Sequence, residues 1–215
     1  MRLSPRAPSA ESELVERLRR DDETALDRLL EDRWRALVAY VLGRVGDVEL
    51  AKDIAQEAFV RLWERRNTLD PGRSVVAYLY QVARRRAIDE LRRQAVHARW
   101  AARERGMVSG ATAGDLPLHR LTERELLRAV KRAIAALPGR RREAFTLVHV
   151  QDLSYQQAAE VMGSAPQTVA NQVAAALAQL RGALKGMTAD LPALDFRRAR
   201  PLPRAPAPSR APTPL

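Results

Sequence analysis

Along Asp47–Glu64 the apolar side chains Ile54, Ala58, Phe59, Leu62 and Trp63 fall at i, i+4, i+5, i+8 and i+9. Only a helix gathers that spacing onto one face, because a turn closes every 3.6 residues. The pattern recurs along most of the chain. Leu14, Val15 and Leu18 form a short stripe. Ala25, Leu26, Leu29 and Leu30 form a second behind Asp21 or Asp22, either of which can cap a helix. Leu37, Val38, Val41 and Leu42 form a third within Trp34–Val45, closed by Gly43 and Gly46. Asp47 caps the next helix, with Glu49 in its first turn, where the helix dipole favours an acid. Val76, Leu79, Val82, Ala83, Ala87 and Leu91 face inward along Val75–Gln94, after a loop at Asn67–Ser74. Aromatic residues are only 5% of the chain. Ala, Leu and Arg dominate, a mix that favours helices over sheets.

A second helical series starts near Thr122, where Thr122 and Glu125 match a capping box. Leu127, Val130, Ile134 and Leu137 follow at spacings of 3, 4 and 3 before Pro138-Gly139 stops the helix. Arg140–Val150 forms the next, with Ala144, Phe145 and Val148 as core. Ser154 and Gln157 make a second capping box for a short helix ending at Met162. Gly163 suits a left-handed C-terminal position, and Pro166 suits the first turn of a last helix. That helix buries Val169, Val173, Ala176 and Leu180 and ends near Lys185.

The predicted fold class is all-α, with two small helical domains. Residues 1–10 form a disordered N-terminus and 11–97 the first domain. Residues 98–120, glycine-rich and aperiodic, form a flexible linker. Residues 121–187 form the second domain. Residues 188–215, rich in Pro and Arg, form a disordered tail that cannot bury apolar surface.

The formal net charge of +11 fits either a basic solvated surface or a polyanionic partner such as nucleic acid. The absence of cysteine excludes disulfides and thiolate metal sites. His97, His119 and His149 have no ligand-like spacing, so neither a metal nor a cofactor is expected. No apolar run reaches the roughly 18 residues of a membrane span, and the N-terminus lacks a secretory core, so a cytoplasmic protein without membrane contact is expected. No Gly-rich phosphate loop or activated nucleophile marks an enzyme.

Three segments carry candidate function. In Ser154–Arg181, a capped helix, a tight turn and a second helix match a helix-turn-helix. Its outer face carries Gln167, Thr168, Asn171 and Gln172. Asn and Gln can read adenine in the major groove, although an ordinary helical hairpin would show the same polarity. In Arg84–Arg93, RRRAIDELRR, the residues Arg84, Arg85, Arg92 and Arg93 could track phosphates. Tyr78 and Tyr80 just upstream could stack on an unpaired base, or belong to the core. In Asp47–Glu64, the polar face of Asp53, Gln56, Glu57, Arg61 and Glu64 faces either solvent or a basic protein, since acids repel DNA.

Taken in order, these segments resemble the extracytoplasmic-function (ECF) group of the sigma-70 family. The run DIAQEAFVRLW at Asp53–Trp63 and the run AYLYQVARRRAIDELRR at Ala77–Arg93 resemble region two. The stretch from Leu121 through LPGRRREAFTLVHVQDLSYQQAAEVMGSAPQTVANQVAAALAQLR resembles region four. The resemblance implies a transcription initiation factor rather than an enzyme. Asp53, Gln56 and Glu57 would dock on the clamp helices of the polymerase β′ subunit. Loop Asn67–Ser74 with Tyr78, Tyr80, Arg84 and Arg85 would melt and hold the minus-ten element. Gln167, Thr168, Asn171 and Gln172 would read the minus-thirty-five element, and region four would sit on the β flap. An anti-sigma factor covering both domains is a further implied partner. Many members have Lys or Arg around Ala170, Gln172 and Ala175, so minus-thirty-five binding is expected to be weak or to rely on Arg140, Arg141, Arg142 and Arg181. Arg85 stands where many members carry Asn in the base-reading pocket. A helix-turn-helix regulator acting without polymerase is the alternative, and it leaves the first domain unexplained.

Overall fold

The computed structural model describes residues 10–105 and 123–185, with side chains for 10–96 and 127–185. The expected N-terminal lead, most of the linker, the Thr122–Glu125 capping box and the Pro/Arg-rich tail lie outside the described side chains. Among the described residues every regular element is a helix. The first domain holds α1 (Ala10–Arg19), α2 (Glu23–Val45), α3 (Val48–Glu64) and α4 (Val75–Arg105). The second holds α5 (Glu123–Ala135), α6 (Gly139–Phe145), α7 (Tyr155–Met162) and α8 (Pro166–Leu184).

The local signals act as their chemistry dictates. Asp22 accepts a hydrogen bond from the Ala25 amide at 3.3 Å and caps α2. Asp47 accepts from the Leu50 amide at 2.8 Å and caps α3. Ser154 and Gln157 form both halves of a capping box on α7. Gly163 closes α7 at a φ of 61°, a left-handed conformation that glycine adopts without a Cβ clash. Pro166 opens α8 in its first turn.

Five expectations need correction. The two helices anticipated between Ala25 and Val45 are one continuous helix, because Glu31-Asp32-Arg33 contains no breaker and the buried series Ala25, Leu29, Leu37, Tyr40, Val41 stays in phase. Helix α4 runs past its expected end at Gln94 to Arg105. Its buried stripe nevertheless ends at Ala87, and Leu91 is 39% exposed. Leu127 on α5 is likewise exposed. The helix anticipated to reach Val150 stops at Phe145 and continues as one π-wound turn, Thr146–Val150, in which the Gln151 amide reaches back to the Thr146 carbonyl at 2.9 Å.

The two modules also do more than share a tether. One apolar cluster runs from Val15, Leu37, Ile54 and Leu79 of the first module into Leu147, Leu153, Val161 and Val173 of the second. A smaller cluster of Leu137, Phe145, Ala176 and Leu180 stays within the second. Helix α4 is the hub, packing against α2, α3 and α7. Its first turns are buried nearly all round, at Val75, Val76, Ala77, Leu79, Tyr80, Val82 and Ala83. A helix that is apolar on every side must be covered on every side.

Candidate nucleic-acid interface

Helix α1 steadies the loop that precedes α4. Ser12 Oγ donates to the Pro71 carbonyl at 3.0 Å. The Glu11 carboxylate accepts from Ser74 Oγ at 2.6 Å and from the Val75 amide at 3.1 Å, so it caps α4 from a distance in sequence. Ser74 Oγ in turn accepts from the Ala77 amide at 3.2 Å. Beyond this cap, a cleft of about 310 Å³ opens between the loop and α4. Its lining includes Arg65, Asp70, Arg73, Tyr78 and Gln81, with Glu160 of α7 closing one side. Tyr78, half-buried, faces this cleft.

Tyr80 lies elsewhere. Its ring is wholly buried and meets Tyr40 edge-on at 4.9 Å between centroids. Its hydroxyl donates to Gln151 Oε1 at 2.9 Å, and burial pushes its pKa up to about 12. Arg84 Nε donates to Glu143 Oε1 at 2.7 Å. Arg44 Nη2 donates to the same oxygen at 2.6 Å and its guanidinium lies 3.8 Å over the Tyr40 ring. Burial opposes ionisation of Glu143, but the hydrogen bonds and charges of Arg84 and Arg44 outweigh it and hold the carboxyl below its ordinary range. The bond to Glu143 raises the Arg84 pKa further. Arg85 is exposed. Arg92 and Arg93 are exposed and carry local ion pairs to Asp89 at 3.5 Å and Glu90 at 3.1 Å.

On α8 the outer face is open. Gln167, Thr168 and Asn171 are exposed and Gln172 partly so. Gln167 Nε2 donates to Asn171 Oδ1 at 3.1 Å, one turn away, which aligns the two amides along the helix. Arg140 and Arg181 are exposed. Arg141 reaches Gln179 at 3.4 Å, and Arg142 donates to the Ala135 carbonyl at 2.8 Å, satisfying the end of α5.

On α3, Asp53 and Gln56 are exposed. Glu57 is half-buried and bridges Arg86 Nε at 2.5 Å and Arg61 Nη2 at 2.6 Å, so much of its charge is already answered. Val60 sits one turn beyond Gln56 and is 49% exposed. It was not singled out from the sequence, although it falls out of phase with the buried stripe. Sequence reasoning also missed Arg44, Glu143 and Gln151, whose roles need the second module brought onto the first. Among the described residues no His, Cys, Asp or Glu cluster could hold a metal, and no helix is long and apolar enough to cross a membrane.

The family model for Sigma-70 region 2 matches residues 29–96, and that for Sigma-70, region 4 matches residues 127–180. The ECF RNA polymerase sigma factor SigW of Bacillus subtilis is 25% identical, over 80% of this chain and 96% of that protein. A protein described as the probable RNA polymerase sigma factor RfaY of Xanthomonas campestris is 30% identical over 75% of this chain, which spans only 41% of that longer protein. Among solved structures, the sigma factor RpoE of Bartonella quintana, crystallised with the anti-sigma factor NepR, shares the fold with a TM-score of 0.55. It is 22% identical, over 74% of this chain and 96% of that one. Two helical modules with these matches, in this order, define a transcription initiation factor. The chain belongs to the sigma-70 family and is an RNA polymerase sigma factor of the ECF type. The region-two match accounts for the module that a stand-alone regulator would leave unexplained.

Proposed function

We propose that the chain divides promoter recognition and polymerase binding among three separate surfaces. Asp53 and Gln56 on α3, with Val60 between Gln56 and Glu64, take the β′ clamp helices of core RNA polymerase. An acidic rim around an apolar centre suits a basic protein partner. Glu57 supports this face by fixing Arg61 and Arg86 rather than by offering a free charge. The loop before α4, its cleft, and Tyr78, Tyr80, Arg84 and Arg85 hold the melted minus-ten strand. Arg92 and Arg93 extend the basic track. A flipped base needs a concave, partly aromatic receptacle, and the cleft beside Tyr78 has that shape. Gln167, Thr168, Asn171 and Gln172 read the minus-thirty-five duplex, with Arg140, Arg141, Arg142 and Arg181 toward phosphates. The second module sits on the β flap.

The observation that carries this reading is the exposure of Asp53 and Gln56 on a rigid helix of the matched region two. The factor acts in the cytoplasm by binding alone, with no cofactor. An anti-sigma factor is a further proposed partner, supported by the anti-sigma factor bound to the solved relative. The test is reconstitution with core polymerase. Asp53→Arg is expected to abolish co-elution with core while leaving the helical spectrum and melting unchanged. Undiminished assembly would remove α3 as the docking face.

A further inference from the structure

Glu143 sits between two guanidinium groups that the first module supplies on its own. Arg44 comes from the last turn of α2, and Arg84 from the middle of α4. Both donate to one oxygen, Oε1, at 2.6 Å and 2.7 Å, and Arg84 Nη2 also reaches Oε2 at 3.4 Å. The three side chains are only 18%, 21% and 12% exposed for Arg44, Arg84 and Glu143. Without Glu143, two like charges would converge on a partly desolvated spot, an arrangement that favours an anion. Arginine forks suit carboxylate and phosphate oxygens alike.

Glu143 arrives from the second module together with three other contacts on the same side of the first. Gln151 takes the Tyr80 hydroxyl. Gln81 donates to the Glu160 carbonyl at 2.6 Å. Gln157 donates to Ser74 Oγ at 2.9 Å and Glu11 at 3.2 Å, at the cap of α4. Each contact falls on α4 or its cap, the element proposed to hold the melted strand.

We propose that Arg44 and Arg84 form a binding site for a backbone phosphate of single-stranded DNA, and that Glu143 of the second module fills it in the free chain as a carboxylate surrogate. The inference rests on the proposed minus-ten role of α4. It adds Arg44 as a DNA contact and makes the second module the inhibitor of the first. The strand is held only after the modules part. The apparent affinity of the free chain is therefore its intrinsic affinity reduced by the fraction open.

The test uses the full chain and an end-labelled oligothymidylate, which offers phosphates without a promoter sequence. The chain has no cysteine, so Asp27→Cys and Ala178→Cys on exposed helical positions carry a dye pair reporting module separation. Glu143→Gln is expected to lower energy transfer and to tighten binding about tenfold. It should also steepen the salt dependence by about 0.7, the value for one added phosphate on a single strand. Adding Arg44→Gln should return the slope to that of the parent. Glu143→Asp keeps the charge and should stay within about twofold of the parent. Unchanged binding in Glu143→Gln, with or without separation, overturns the proposal, as does a steeper slope that survives Arg44→Gln. A second measurement needs no change at Glu143. Inorganic phosphate should separate the dyes more than sodium chloride at equal ionic strength, and equal effects overturn the proposal. None of these readouts involves polymerase. Failure here with intact transcription by the reconstituted parent would leave the sigma-factor reading standing, whereas failed holoenzyme assembly would strike that reading instead.

Discussion

Helices α4 and α8 carry the two proposed DNA-reading faces, and the structure treats them in opposite ways. The outer side of α8 stands open, with Gln167, Thr168 and Asn171 in solvent. On α4, Tyr80 is sealed against Tyr40 and Gln151, and Arg84 is spent on Glu143. Duplex can reach α8 with no change in the chain. A single strand can reach the full α4 face only after the second module moves. The difference teaches that, on these proposed roles, one polypeptide can present its duplex reader while withholding its strand reader, using α6, the turn after it and α7 of the second module as the cover.

The comparison can be broken most severely at the shared core. Leu147 is fully buried in the cluster that spans both modules. Leu147→Ala is expected to lower the unfolding free energy by about 2–5 kcal/mol, measured by denaturant titration. If the two modules were packed independently, two transitions would appear and only one would shift.

A smaller effect separates the two readers. Asn171→Ala should weaken binding to a cognate minus-thirty-five duplex by about 1–3 kcal/mol, as for one bidentate base contact. Binding of the oligothymidylate should not change. An equal loss on both probes would show that the surfaces are not separate. Ser154→Ala removes half of the α7 capping box and should cost about 1 kcal/mol of stability. It should also speed hydrogen exchange at the α7 amides that pack on α4.

The smallest expected effect is on acidification. The folded-state pKa of Glu143 lies below its ordinary value of 4.5. Its contribution to the closed packing is therefore fully present above that ordinary value. It fades as pH falls from there through the depressed folded value. Of the groups facing it, Arg44, Arg84 and Tyr40, the last two have raised pKa values and keep their protons across that range. Energy transfer between the dye-labelled modules should thus hold steady from neutrality down to about pH 4.5 and decline below it. A decline near neutrality would point to another group, with His149 the nearest in ordinary pKa.

Much of the candidate site is legible in the sequence. Ser154, Gln157, Gly163 and Pro166 announce a helix-turn-helix because capping and left-handed backbone are local chemistry. Asp53 and Gln56 are predicted outward because they oppose the stripe of Ile54, Ala58 and Phe59. Glu57 lies on the same predicted face, yet its two arginine partners reduce what it can offer. One of them, Arg86, comes from another helix and has no sequence signature. Tyr80 was legible as either core or base-stacking, and periodicity alone had no means to choose, since both uses place an aromatic on the same helix.

Local side-chain chemistry determined where helices begin and end, which face of each is apolar, and which residues of α8 look outward. Those properties depend on neighbours within about four positions along the chain. Only the tertiary structure decided that the first turns of α4 are covered nearly all round, that Glu11 caps it, and that Glu143 lodges between Arg44 and Arg84. Such pairings join residues 59 to 99 positions apart. Periodicity says that an apolar or basic face needs a partner, but shape and charge complementarity between whole modules choose which one arrives.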